Sequence, residues 1–228
     1  MTTERTPKPV TAVPDRNMTS PMLKAMANPL RRQILAILGA VESARATDLA
    51  QRLDVPANKL SFHLRVLAAA GIIAEAPELA RDRRDRVWQT VPGGLRIGSP
   101  DAPAPADDRL ALLAYLDQEG RDQHRRLDAV LGAAAAYAKV PETDPRALLN
   151  TTALLLDEAE LEELGDRIIE VIRSMKRKHA VPVAESGERK LWHFTMFMAR
   201  EDLPGLEASG DGPGTSPGGR DPGRPETG

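Results

Sequence analysis

Apolar residues along the first ninety positions recur at helical spacing in short runs, each closed by Pro, Gly or Asn-Pro. Ser20-Pro21 opens a helix, with Ser20 as cap and Met22, Leu23 and Met26 available for burial, and Asn28-Pro29 breaks it. Leu30 to Leu38 repeats the pattern, with Ile34, Leu35, Ile37 and Leu38 inward, Arg31 and Arg32 outward, and Gly39 as terminator. Leu49, Ala50 and Leu53 mark a third helix that Thr47 can cap, with Asp48 suited to its positive end. Pro56 opens a fourth, over 56–70, in which Leu60, Leu64 and Leu67 form the inner stripe and Gly71 stops the turn. Ile72-Ile73 and Val87 to Val91 then read as antiparallel strands around a hairpin, Pro77 to Arg86.

The pattern changes after SPDAPAPA (99–106), a proline-rich linker. Asp107 to Ala138 predicts one long helix, or two if Gly120 breaks it. Leu113, Leu116, Leu127, Val130, Ala134 and Tyr137 have the spacing of a helix that pairs, with a second copy or within the chain. Residues 147–156, ALLNTTALLL, predict a strand. Asp157 and Glu160 form a capping pair for a helix with Leu161, Leu164, Ile168, Val171, Ile172 and Met175 on one wide face. Lys190 to Arg200 alternates like a strand, with Trp192, Phe194, Met196 and Met198 on one face. That face has two readings: a site for an apolar effector, or a sheet surface covered by the 161–175 helix. From Pro204 onward eight Gly and five Pro carry no apolar pattern, which predicts a flexible tail.

The fold class expected is mainly α with small β elements. Its parts are a flexible N-terminal arm (1–18), a helical domain with a β-hairpin (19–95), a linker (96–106), a dimerisation or connecting helix (107–140), a small α+β module of strand, helix and strand (146–201), and a disordered tail (202–228).

Charge sharpens this division. The net value of −2 conceals 12 Lys/Arg against 7 Asp/Glu in residues 21–100, and 8 against 16 in residues 101–175. A basic unit can neutralise phosphates, and an acidic one would be kept away from them. The absence of cysteine excludes disulfides, thiolate metal sites and cysteine nucleophiles. The longest apolar stretch, Ala129 to Ala138, falls short of the ~20 residues of a spanning helix, so a cytoplasmic location with no membrane role is expected.

The candidate chemistry is therefore recognition. The outer face of the 56–70 helix carries Asn58, Lys59, Ser61, Phe62, His63 and Arg65, and the hairpin carries Arg81, Arg83, Arg84 and Arg86, interrupted by Asp82 and Asp85. Donor-rich side chains on the second helix of such a pair suit a major groove, and a phenyl ring can pack on a thymine methyl. The hairpin arginines suit phosphates or the minor groove, unless the aspartates pair with them. No nucleophile elbow, complete phosphate loop or His-Glu-x-x-His motif is present, so no enzyme and no cofactor are expected.

MANPLRRQILAIL, LSFHLRVLAAAGII and the basic hairpin ending RVWQTV, over residues 22–92, resemble the ArsR-type winged helix-turn-helix repressors of bacteria. The resemblance implies a homodimer that binds double-stranded operator DNA and releases it when an effector arrives. Ser61, His63 and Leu64 match the Ser-x-His-Leu pattern of the recognition helix; Phe62 stands where a polar residue is usual. His63 is accordingly assigned to DNA contact or local hydrogen bonding. The helix after the wing commonly pairs with its two-fold mate in that family. A metal site there needs Asp-x-His completed by His and Glu; Asp122 and His124 match the first half, but the second falls on Ala135 and Ala138. No metal is expected, and Asp122 and His124 are assigned to solvent. The competing function is a winged-helix interaction module that recruits a protein through its C-terminal half without needing DNA.

Overall fold

The computed structural model describes residues 16–82, 85–98, 108–137 and 146–205, with the side chains of 135–137 left aside. The architecture is mainly helical with two small sheets. In order, the elements are β1 (Arg16–Asn17), α1 (Ser20–Met26), α2 (Pro29–Ala40), β2 (Ala44–Arg45), α3 (Ala46–Leu53), α4 (Ala57–Ala69), β3 (Ile73–Glu75), β4 (Val87–Thr90), β5 (Leu95–Arg96), α5 (Arg109–Tyr137) and α6 (Glu158–His179). The chain divides into two compact units, the second starting at His193.

The N-terminal helices follow their local signals closely. Asn28 accepts the Arg31 N–H at 3.2 Å, and Pro29 at the first turn of α2 has no N–H to lose. Three starts and stops differ from expectation. Thr19 precedes α1 and Arg45 precedes α3, and neither they nor Ser20 and Thr47 provide a side-chain cap; Arg45 instead holds Asp48 at 2.9 Å. Gly39 lies inside α2, which runs on to Ala40. A helix interior tolerates one glycine when its neighbours are packed, and Ile37 and Leu38 are buried.

The core lies among α1 to α4 and the sheet β2-β4-β3. Leu23, Ile34, Leu38, Leu49, Leu60, Leu64, Leu67, Ile72 and Ile73 are its largest fully buried side chains. β4 is central and antiparallel to both neighbours, with Trp88 opposite Ala44 and Glu75. Residues 16–18 do not belong to a free arm: Arg16–Asn17 pairs in parallel with Leu95–Arg96, and Met18 is buried. Residues 1–15, the linker from 99 to 107 and the tail from 206 fall outside the described residues.

α5 is one unbroken helix of 29 residues, so Gly120 does not break it. It packs along α1, with Ala111 buried and Leu112 and Tyr115 against the core. α6 has both halves of the expected capping box, Asp157 and Glu160 exchanging hydrogen bonds of 2.9 Å, and a basic last turn. The strands predicted on either side of it are not formed: residues 147–156 and 190–200 make no ladder among the described residues. Alternation creates a strand only where another strand accepts its backbone groups. Leu148 and Leu155 stand almost fully exposed, and Leu149, Leu154 and Leu156 are about half exposed. In the second unit, residues 193–205 are irregular, ending in a turn closed by Leu203 N–H to the Arg200 carbonyl at 2.9 Å.

Candidate nucleic-acid interface

The pair α3–α4 is held from beneath. Leu49 and Leu60 are fully buried, as are Leu64 and Leu67 at four and seven residues beyond Leu60. Full burial of a leucine side chain contributes roughly 1.5–3 kcal/mol, enough to fix which face of α4 points inward. The turn between the helices is short. Asp54 adopts the left-handed conformation (φ 52°), one that Asp tolerates better than most residues, and the Val55 N–H reaches back to the Ala50 carbonyl at 3.0 Å. Pro56 then directs the chain into α4. At the far end Gly71, at φ 71°, turns the chain toward β3.

Asn58, Lys59, Phe62 and Arg65 are exposed on the outer face of α4, and Ser61 is half-exposed. The Ser61 hydroxyl donates to the Ala57 carbonyl at 2.8 Å, and Arg65 Nε donates to the Ser61 carbonyl at 3.3 Å. Phe62 is 55% exposed. His63 is the exception to the predicted face: it is buried, 8% exposed. It sits three residues beyond Leu60 and four before Leu67, on the flank of the inner stripe rather than opposite it. Its ring meets that of Phe62 edge-on, with centroids 5.5 Å apart, and its Nδ1 has no hydrogen-bond partner among the described residues. Burial and then the charges of Arg31 and Lys59 lower its pKa.

In the hairpin, Pro77–Leu79 forms a short 3-10 turn, and the Asp82 carboxylate accepts the Asp85 N–H at 3.0 Å. Arg81 is exposed. Arg86 is also exposed, but its guanidinium pairs with Glu75 at 3.3 Å across the base of the wing. Arg83 and Arg84 lie outside the described residues.

Residues 26–76 match the family described as "Helix-turn-helix domain". This segment is a helix-turn-helix, and β3 with β4 adds a hairpin after α4. The match covers less than a quarter of the chain. No curated protein matches the sequence. Among solved structures, the chain is similar to the adhesin competence repressor AdcR from Streptococcus pyogenes at 13% identity, over 65% of this chain and 81% of that one, with a TM-score of 0.30.

Besides the packing of α5 on α1, two polar connections tie the helix-turn-helix domain to the rest of the chain, and neither was expected. Arg32 points inward, not outward. It is 9% exposed, its Nε donates to Asp122 Oδ2 of α5 at 2.9 Å, its second terminal nitrogen also reaches Asp122, and Nη1 donates to the Met26 carbonyl at 2.7 Å. Asp122 is therefore buried and paired, not solvated, and Arg125 also donates to it. Burial alone would raise its pKa, but the hydrogen bonds and charges of Arg32 and Arg125 outweigh that and lower it. His124 remains exposed, with its Nδ1 2.7 Å from the Gly120 carbonyl. The signal for Asp122 was in the spacing: Ala111, Tyr115, Gln118 and Asp122 follow at i, i+4, i+7 and i+11, one face of a helix. In the second connection the chain beyond α6 returns to β2. The Glu42 N–H donates to the Val181 carbonyl at 3.1 Å, the Val183 N–H donates to the Ser43 carbonyl at 3.0 Å, and Val183 is buried in the core.

Proposed function

We propose that this chain is a homodimeric, sequence-specific DNA-binding transcription regulator of the ArsR type, a repressor and not an enzyme. The observation that carries the reading is the presentation of Asn58, Lys59, Phe62 and Arg65 outward on α4, the second helix of the pair, while fully buried leucines lock the opposite face. α4 enters the major groove. Asn58, Ser61 and Arg65 read base edges, Phe62 packs on a thymine methyl, and Lys59 holds a phosphate. Arg81, Arg83, Arg84 and Arg86 approach the flanking phosphates or minor groove, with Arg86 exchanging Glu75 for phosphate. His63 acts from below, as a buried support for the Phe62 ring.

Two-fold symmetry makes the operator an inverted repeat with half-sites about 34–36 Å apart. The exposed leucines of α5, Leu113, Leu116, Leu127 and Leu131, supply apolar surface for the dimer. The Arg32–Asp122 pair and the Val181–Val183 return link the C-terminal half to the reading head, so a small-molecule effector acting on that half can alter DNA affinity. The protein works in the cytoplasm, on chromosomal DNA.

Fluorescence anisotropy of the full chain with its own upstream intergenic duplex, against a scrambled duplex at two salt concentrations, tests this. Tight binding to the first alone is expected. Arg83→Ala with Arg84→Ala should weaken binding to every sequence and flatten its salt dependence, whereas Asn58→Ala or Ser61→Ala should erode discrimination. Absence of binding to either duplex would replace the regulator with the protein-recruiting module.

A further inference from the structure

α6 is a 22-residue helix with a wide apolar face, yet none of its side chains is buried. Leu161, Val171 and Met175 are 43%, 63% and 54% exposed. Leu164, Ile168 and Ile172, along the middle of that face, are half-buried. An amphipathic helix in water is held mainly by what covers its apolar face, and among the described residues that cover is incomplete. The charges along α6 say what completes it. Residues 158–166 hold five Asp/Glu and no Lys/Arg; residues 167–179 hold five Lys/Arg against Glu170 alone. Dipole compensation accounts for the first and last turns only, because the effect decays within a turn. Glu162, Glu163 and Asp166 lie beyond its reach, but they project away from the apolar face, and Glu163 pairs with Arg167 within the helix at 2.5 Å. The charges that flank the face are Glu158 and Glu160 at one end and Lys176 and Lys178 at the other.

We propose that α6 pairs antiparallel with α6 of a second copy of this chain, about a two-fold axis at Ile168. A parallel pair would set acid against acid and base against base; the antiparallel pair sets each acidic half against a basic one. Centred on Ile168, it brings Leu161 level with Met175 of the second copy and Leu164 level with Ile172. Glu158 and Glu160 come level with Lys178 and Lys176. Gly165, which weakens a helix interior, comes level with the branched Val171, and a Cβ at Gly165 would meet nothing within 4 Å among the described residues. The apolar stripe and the charge pattern thus share one centre, which a helix designed to face solvent does not need.

This deepens the dimer reading and rests on it, while DNA binding by α4 stands without it. The chain has no cysteine, so single cysteine variants report unambiguously. In the full chain, Ile168→Cys should cross-link to itself with a short thiol reagent. Leu161→Cys and Met175→Cys chains, mixed and allowed to exchange subunits, should cross-link at least about tenfold faster than either alone, because like positions then lie about 21 Å apart along the axis. Far-UV circular dichroism and operator binding of each variant check that it folds. Self-linking of Leu161→Cys as fast as the mixture would establish a parallel pair and overturn the proposal. A dimer by sedimentation without any α6 cross-link would overturn it and leave the dimer reading intact; a monomer would overturn both.

Discussion

Replacing Asp122 by Leu should destabilise the helix-turn-helix domain although Asp122 lies some ninety residues away from Arg32 in sequence. Both side chains are almost wholly buried, 8% and 9% exposed, and are joined by two donors from one guanidinium. Removing one partner of a buried ion pair costs about 3–5 kcal/mol, since it leaves the other charge desolvated and unpaired. Arg32 keeps the Met26 carbonyl at 2.7 Å and Glu119 at 3.8 Å, which places the expected loss nearer 2–4 kcal/mol. Arg32→Leu should cost less, about 1–3 kcal/mol, because Asp122 retains Arg125. Arg32→Leu with Asp122→Leu leaves no buried charge, and should cost well below the sum of the two, with a coupling of about 2 kcal/mol. Urea unfolding of the full chain reads this out. A Trp192→Phe background leaves Trp88, buried in β4, as the single tryptophan reporter. A loss of 2–4 kcal/mol appears as a midpoint shift of about 1–2 M or more for a domain of this size. Additive single costs, or an Asp122→Leu loss under about 0.5 kcal/mol, would refute the view that this pair fastens α5 to the reading head.

The pKa of His63 is lowered on folding, so the unfolded chain takes up its proton first as pH falls. Stability is full above the unfolded value of about 6.5, and declines as pH falls from there toward the folded pKa. His63→Gln should flatten that slope in urea titrations at pH 5 to 7; an unchanged slope would remove His63 as its source. Gly71→Ala should lose about 1 kcal/mol by thermal or urea unfolding, through the φ of 71° and not through crowding, because the new Cβ would meet Met22 only at an ordinary 3.8 Å. A loss above ~3 kcal/mol would point to a clash that the geometry does not contain.

What local chemistry could specify, the sequence determined by itself. Asn28-Pro29, the Leu60-Leu64-Leu67 stripe, Gly71 and the Asp157–Glu160 box act within a turn or two of chain, and each is found in its expected role. The four helices, the winged hairpin and the exposed face of α4 apart from His63 were legible for that reason. The errors share a different origin. Arg32, His63 and Asp122 are polar residues whose burial is decided by an element distant in sequence or by the flank of a stripe, and a polar side chain carries no mark of the partner that will desolvate it. The strands expected over 147–156 and 190–200 failed similarly: alternation prepares a segment for a sheet, but only a second strand at hydrogen-bonding distance makes one. Tertiary structure alone decided that α5 is fastened to α2 through Arg32 and Asp122, and that Val183 returns to the edge of β2. Both depend on which surfaces meet, and neither local propensity nor periodicity encodes that.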